Sequence, residues 1–291
     1  MLLFILKAIT YVVWCLPLRL VVFTGGVVGR IAHLILKKHR GIAAGNLRLA
    51  YGGALTEAEI SAVVKKVFIN LGIIALESMR IPWMRHDEFD KLVTCEGMDN
   101  LRASLSKGKG VIIMTGHFGN WELLAVFLGR NGVTLDVVVR EPDSPVMNKF
   151  ITWLRKSGGN RIISKNRSMR KLMRVLNDNG VAAILIDQNV ASAEGVFVDY
   201  FGTLACTNKG PAMLAMATGA AVLPTFIIRK GAMHHLVIGP EIPLTITGDK
   251  QKDTLVNTAA FTAEVEKIVR KYPEQWFWVH RRWKTRPGQK T

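Results

Sequence analysis

Apolar residues run almost unbroken from Leu2 to Leu36, interrupted only by Lys7, Arg19, Arg30, His33 and a few small polar residues, and divided by Pro17. Neither half is a clean stretch of the ~20 uncharged residues that a spanning helix needs. The pattern therefore predicts a pair of helices lying in or dipping into a bilayer, with a buried core hairpin as the alternative. A cleaved signal peptide fits poorly, because the apolar run is too long and lacks a small-residue cleavage site. The cluster Lys37, Lys38, His39, Arg40 follows directly, and cations beside an apolar segment tend to stay on the cytoplasmic side. Residues 1–40 are expected to form a membrane-anchoring helical segment and residues 41–291 a single larger domain.

Beyond the anchor the periodicity changes twice. Apolar positions recur at helical spacing from Thr56 to Arg80, where Thr56 and Glu59 form a capping-box pattern. From Lys109 onward, short apolar runs alternate with amphipathic stretches, the pattern of parallel strands joined by crossover helices. Strands are expected at Gly110 to Thr115, Val133 to Arg140, Arg161 to Ser164, Val181 to Asp187, Val222 to Ile228 and His235 to Ile238. Helices fall between them, opened by Asn120 and by Ser144 with Pro145, and Gly180 closes the one that begins near Ser168. A last helix is expected from Lys252 to Lys271, ahead of a basic, aromatic tail. The fold class that follows is α/β, a mostly parallel central sheet flanked by helices, with an N-terminal membrane-associated helical segment.

Composition narrows the partners. With 39 Lys and Arg against 22 Asp and Glu, the formal charge of +17 attracts anions at long range. Nucleic acid, an acidic membrane or lipid, and an acidic carrier protein all qualify. Cys15, Cys95 and Cys206 are widely spaced, without a Cys-x-x-Cys pair, so neither a disulfide framework nor a zinc site is suggested. No metal and no organic cofactor is expected.

The chemistry concentrates in the segment from Ile113 to Glu122, an apolar strand ending in a glycine-containing loop that opens into a helix. Strand ends of this kind hold reactive groups at the mouth of an open sheet. On a continuous helix, positions five apart point about 140° away from each other. Gly116 and Gly119 remove that obstacle by placing His117 in the loop and Glu122 in the first helical turn, where its carboxylate can reach the imidazole. A carboxylate on one ring nitrogen makes the other a better base. His117 is then able to deprotonate a hydroxyl for attack on an acyl carbonyl. Without a Gly-x-Ser-x-Gly setting, direct transfer is expected rather than a covalent acyl-enzyme.

The string Gly116-His-Phe-Gly-Asn-Trp-Glu-Leu123 resembles the catalytic motif of the late acyltransferases of lipid A biosynthesis, within the lysophospholipid (glycerolipid) acyltransferase-like superfamily. Asp187-Gln188, the region Val196 to Ala212, and the tail Pro273 to Pro287 match the same family in the same order. The resemblance extends from about Asn46 to the carboxyl end, departing at Tyr51-Gly52 and Trp283, where the family usually has Phe-Pro and Phe. It implies transfer of a fatty acyl group from an acyl carrier protein thioester to a hydroxyl of a lipid A precursor, at the cytoplasmic face of a bacterial inner membrane. It further implies a catalytic dyad of His117 and Glu122, with Arg140, Asp187 and Gln188 beside the same cleft. Arg140 either binds a substrate phosphate, steadies an oxyanion or pairs with an acid, and Asp187 either positions substrate or caps a loop. Gly119 and Asn120 are candidate oxyanion donors, with helix capping the alternative for Asn120. Transfer from acyl-CoA to another glycolipid or lysophospholipid, such as a mannosylated inositol lipid, is the runner-up within this chemistry.

Two basic features remain. Arg167, Arg170, Lys171 and Arg174 recur at three- and four-residue spacing and form one stripe, either a solvated face or a surface for an acidic acyl carrier or lipid phosphates. The tail mixes His280, Arg281, Arg282, Lys284 and Arg286 with Trp276, Trp278 and Trp283. That composition suits the headgroup layer, or a strap packed by its tryptophans. It also suits nucleic acid, which would make the chain a non-catalytic binding protein. No helix-turn-helix, RNA-recognition or zinc-finger pattern accompanies it, so no nucleic-acid partner is expected.

Overall fold

The computed structural model describes residues 1–139, 144–164 and 168–288. Four helices come first: α1 (Leu2–Cys15), α2 (Leu18–Ile35), α3 (Lys37–Tyr51) and α4 (Glu57–Arg80). There follow α5 (His86–Leu92), β1 (Val93–Glu96), α6 (Met98–Leu105), β2 (Val111–Thr115), α7 (Trp121–Arg130), β3 (Leu135–Val139), α8 (Pro145–Lys156), β4 (Arg161–Ser164), α9 (Ser168–Asn177) and β5 (Val181–Leu185). The chain continues through β6 (Gly195–Tyr200), β7 (Thr203–Asn208), α10 (Gly210–Thr218), β8 (Ala221–Lys230), β9 (Met233–Ile238) and α11 (Lys250–Lys271). The seven-stranded sheet has the order β1-β9-β8-β2-β5-β3-β4, with β6 and β7 forming a separate antiparallel pair. All pairings in the large sheet are parallel except that of β8 with β9.

The central strands are apolar throughout because both faces are covered, as expected of a parallel sheet between helical layers. Successive residues of β2 enter opposite cores. Ile112 and Met114 join Leu47, Val64, Leu176 and Phe261, whereas Val111 and Ile113 join Phe89, Leu101, Leu124 and Phe127. Burying each such side chain contributes about 1.5–3 kcal/mol. Local signals agree with this packing. The side chain of Thr56 accepts from the Glu59 N–H at 3.3 Å while that of Glu59 accepts from the Thr56 N–H at 2.8 Å, closing the capping box. Ser144 caps α8, with Pro145 in its first turn.

The amino-terminal run forms two helices broken at Pro17, and α2 is long and apolar enough to cross a membrane. It crosses α4 at glycines. A Cβ on Gly29 would lie 2.3 Å from the Phe68 carbonyl oxygen, and one on Gly72 would lie 2.3 Å from that of Gly25. Such close backbone approach is the small-residue packing seen between membrane helices. Outward, Phe4, Phe23, Leu34 and Ile35 stay exposed. The boundary expected at residue 40 falls inside α3, whose Asn46 donates to the Trp278 and His280 carbonyl oxygens at 2.7 and 2.6 Å.

Candidate active site

The loop after β2 is shaped by what its glycines touch. Gly119 has φ of 55°, and a Cβ there would sit 1.8 Å from the Ile227 carbonyl oxygen, so both the conformation and the space require glycine. Phe118 turns inward and is buried, packing edge-on against Phe226. His117, between them, keeps a side chain about a quarter exposed.

The imidazole is held from one side by Asp187. Its Nδ1 lies 2.8 Å from Asp187 Oδ1, and its backbone N–H donates to Asp187 Oδ2 at 2.7 Å. The Trp276 indole N–H donates to the same Oδ2 at 2.8 Å. Burial alone would push the Asp187 carboxyl up, but the His117 ring and N–H, with the Trp276 indole, hold it below the usual carboxylate range. An ionised carboxylate can only accept, so Nδ1 carries the proton and Nε2 is the basic nitrogen. Gln188 brings its side-chain nitrogen within 3.4 Å of Nε2.

Glu122, expected to reach the imidazole, is bonded elsewhere. Its carboxylate accepts from Arg155 Nε at 2.9 Å and a terminal guanidinium nitrogen at 2.6 Å, and from the Trp121 indole at 3.2 Å. No hydrogen bond or ion pair joins His117 to Glu122 among the described residues. The physical reason is direction: Glu122, in the first turn of α7, pairs with the cation on α8, while the Trp121 ring packs against the imidazole with centroids 5.2 Å apart. Sequence spacing missed Arg155, although basic residues near the end of α8 stood in plain view.

The two candidate oxyanion donors are also committed. The Gly119 N–H donates to the Gln275 carbonyl oxygen at 3.0 Å. Asn120 is fully buried, its Oδ1 accepting from the Leu123 N–H at 3.1 Å and its amide donating to Glu77 at 3.1 Å. It is the helix cap, and Glu77 in turn forms a two-pronged ion pair with Arg229 at 2.6 and 2.7 Å.

Arg140 and Arg167 lie outside the described residues. Arg170, Lys171 and Arg174 are exposed on α9, opposite the buried Leu172 and Leu176. The tail is a packed strap: Trp276, Trp278, Trp283 and Arg282 are all buried. The headgroup-layer expectation for these tryptophans fails because they pack against Tyr200 and Phe201 of the β6–β7 hairpin and Tyr51 of α3. Arg282 donates to the Cys206 carbonyl oxygen at 2.8 Å and to the Thr207 hydroxyl. The Phe277 N–H donates to the His117 carbonyl oxygen at 3.0 Å, completing an antiparallel bridge between Phe118 and Trp276.

Comparison with known proteins agrees with this architecture. The model of the family described as bacterial lipid A biosynthesis acyltransferase matches residues 1–285. The chain is 27% identical over 278 residues to the lipid A biosynthesis palmitoleoyltransferase of Escherichia coli K12, covering 94% of this chain and 87% of that one. It is 27% identical to the lauroyltransferase of the same organism, covering 94% and 88%. It is also 27% identical over 212 residues to the phosphatidylinositol mannoside acyltransferase of Mycolicibacterium smegmatis, covering 71% and 67%. With a family match along almost its whole length and an α/β fold that sets a histidine at the carboxyl end of a central strand, this chain belongs to the bacterial lipid A biosynthesis acyltransferase family and is an acyltransferase.

Proposed function

We propose that this protein transfers a fatty acyl chain from an acyl carrier protein thioester to a hydroxyl of a lipid A precursor, with His117 as general base and Asp187 as its orienting partner. The observation that carries the reading is the 2.8 Å contact between His117 Nδ1 and Asp187 Oδ1, which leaves Nε2 as the acceptor on a partly exposed ring. The acceptor hydroxyl gives its proton to Nε2 as its oxygen attacks the thioester carbonyl. Collapse of the tetrahedral intermediate breaks the C–S bond, and the imidazolium returns the proton to the departing thiolate. The Gln188 amide, already beside Nε2, is a candidate donor to the developing oxyanion.

Glu122 takes a second role in this reading. It fixes Arg155 and accepts from the Trp121 indole that packs on the imidazole, and a guanidinium held there suits a lipid phosphate. The exposed basic face of α9, Arg170, Lys171 and Arg174, suits an acidic acyl carrier. The exposed apolar residues of α1 and α2, followed by Lys37, Lys38 and Arg40, support attachment of residues 1–40 to the cytoplasmic face of an inner membrane. The similarity to a phosphatidylinositol mannoside acyltransferase keeps a second reading, acyl-CoA-dependent transfer to a mannosylated inositol lipid.

Purified protein and its His117→Ala variant, offered carrier-protein and CoA thioesters with a tetraacylated lipid A precursor or a mannosylated inositol lipid, test the reading. Transfer by the parent to the first acceptor from the carrier-protein donor is expected, falling at least ~100-fold in the variant. Transfer only to the inositol lipid refutes the assigned acceptor. Undiminished turnover in a folded His117→Ala variant refutes the base.

A further inference from the structure

Asp187 holds two nitrogens of His117 at once, and something must fix the orientation of its carboxylate. Oδ2 accepts from the His117 backbone N–H at 2.7 Å and from the Trp276 indole at 2.8 Å, leaving Oδ1 for Nδ1. The indole is not free to drift. Trp276 is 3% exposed and wedged between Trp278 and Tyr200, with ring centroids 4.6 and 5.6 Å away. Its backbone is locked as well. On either side of it, the Gln275 carbonyl oxygen accepts from Gly119 and the Phe277 N–H donates to His117. The strap thus grips the loop by its backbone and Asp187 by a side chain, three contacts made by three consecutive residues.

We infer that Trp276 is a positioning residue for acyl transfer, its indole N–H holding the Asp187 carboxylate so that Oδ1 faces His117 Nδ1 and Nε2 points into the cleft. The inference rests on His117 as the base and assigns the tail a place in the active site. A packing role alone requires only the shape of the ring. A positioning role requires the N–H.

The groups around the pair are His280 and Arg282 of the strap, Tyr200 of β6, and the Glu122–Arg155 ion pair behind Trp121. None of them replaces the indole as a donor to Oδ2. Without it, more of the carboxylate's negative charge is directed at the ring, the imidazolium is stabilised, and the inactive protonated base persists to higher pH.

The test compares the parent protein with Trp276→Phe and with a protein carrying β-(3-benzothienyl)alanine at position 276, which keeps the bicyclic shape and lacks the N–H. In the benzothienyl protein, kcat is expected to fall about tenfold or more with KM for both substrates unchanged. The acid limb of its kcat/KM profile moves to higher pH, while its thermal midpoint stays near that of the parent. Parent-like kcat and pH profile in that protein would overturn the inference, even if Trp276→Phe fails to fold, because shape alone would then suffice. A His117→Ala variant run alongside separates the two claims: its undiminished turnover would refute the base itself, whatever Trp276 does.

Discussion

The two ends of the chain are alike in composition and opposite in structure. Both combine cations with large apolar or aromatic residues, and both suit a membrane surface by composition. At the amino end, α2 buries its glycines against α4 and turns Phe23, Leu34 and Ile35 outward. At the carboxyl end, Trp276, Trp278, Trp283 and even the guanidinium of Arg282 turn inward. The difference lies in what the polar atoms find. Two nitrogens of Arg282 meet a carbonyl and a hydroxyl while its Nε finds no partner, and the indole N–H groups of Trp276, Trp278 and Trp283 each meet an oxygen, so burying the tryptophans costs the strap little. Phe23, Leu34 and Ile35 of α2 have no polar atoms to satisfy, and none of the described residues covers them.

The contrast can be broken from either end. Trp278→Ala is expected to destabilise the protein by about 3–5 kcal/mol, because a fully buried ring leaves a cavity between Tyr51, Phe201 and Trp276. Denaturant unfolding in detergent would check this, and a loss below about 1 kcal/mol would mean that the strap is not packed as described. At the amino end, Gly29→Val places a Cβ where the Phe68 carbonyl oxygen stands 2.3 Å away. A loss of about 1–3 kcal/mol is expected, and equal stability would show that α2 does not cross α4 so closely.

Where the regions meet, Glu77 of α4 pairs with Arg229, whose backbone N–H and carbonyl oxygen are bonded to the Gln275 side chain of the strap. Burial pushes the Glu77 carboxyl up, yet Arg229 and His234 outweigh it and bring it from an ordinary 4.5 down to about 2. A depressed carboxyl stabilises the fold fully above its unfolded value and less as pH falls toward its folded one. Acid titration between about 4.5 and about 2 should therefore remove stability from the parent. Glu77→Gln should flatten that dependence, and an unchanged acid slope would contradict the assignment. The smallest effect on folding is expected for Phe23→Ser with Leu34→Ser, within about 0.5 kcal/mol as for other surface changes. Sedimentation with anionic vesicles should nevertheless weaken at least about tenfold, since the buried apolar area is lost. Undiminished association would shift membrane contact elsewhere.

Much of the sheet was legible because its strands are apolar on both faces. β4 was expected at Arg161 to Ser164 and forms there, and β2, β3, β5, β8 and β9 lie within a few residues of their expected positions. β1 was missed because Val93 to Glu96 is a half-polar edge, and α3 because its basic start reads as a flanking cluster. The loop, the cap at Asn120 and the position of His117 were legible from two glycines and a strand end. The partner of His117 was not. Glu122 is five positions away and advertises itself by spacing, whereas Asp187 and Trp276 are brought to the ring by sheet order and by an antiparallel bridge. The same holds for Arg155, which reaches Glu122 from another helix.

Acyl transfer rates of Asp187→Asn and Glu122→Gln, measured side by side with saturating donor and varied acceptor, test the central claim most directly. The account predicts that Asp187→Asn lowers kcat at least ~100-fold. Glu122→Gln should instead raise the acceptor KM, with a smaller change in kcat. The reverse pattern, parent-like turnover in Asp187→Asn and abolished turnover in a folded Glu122→Gln, would contradict it and return the base's partner to Glu122.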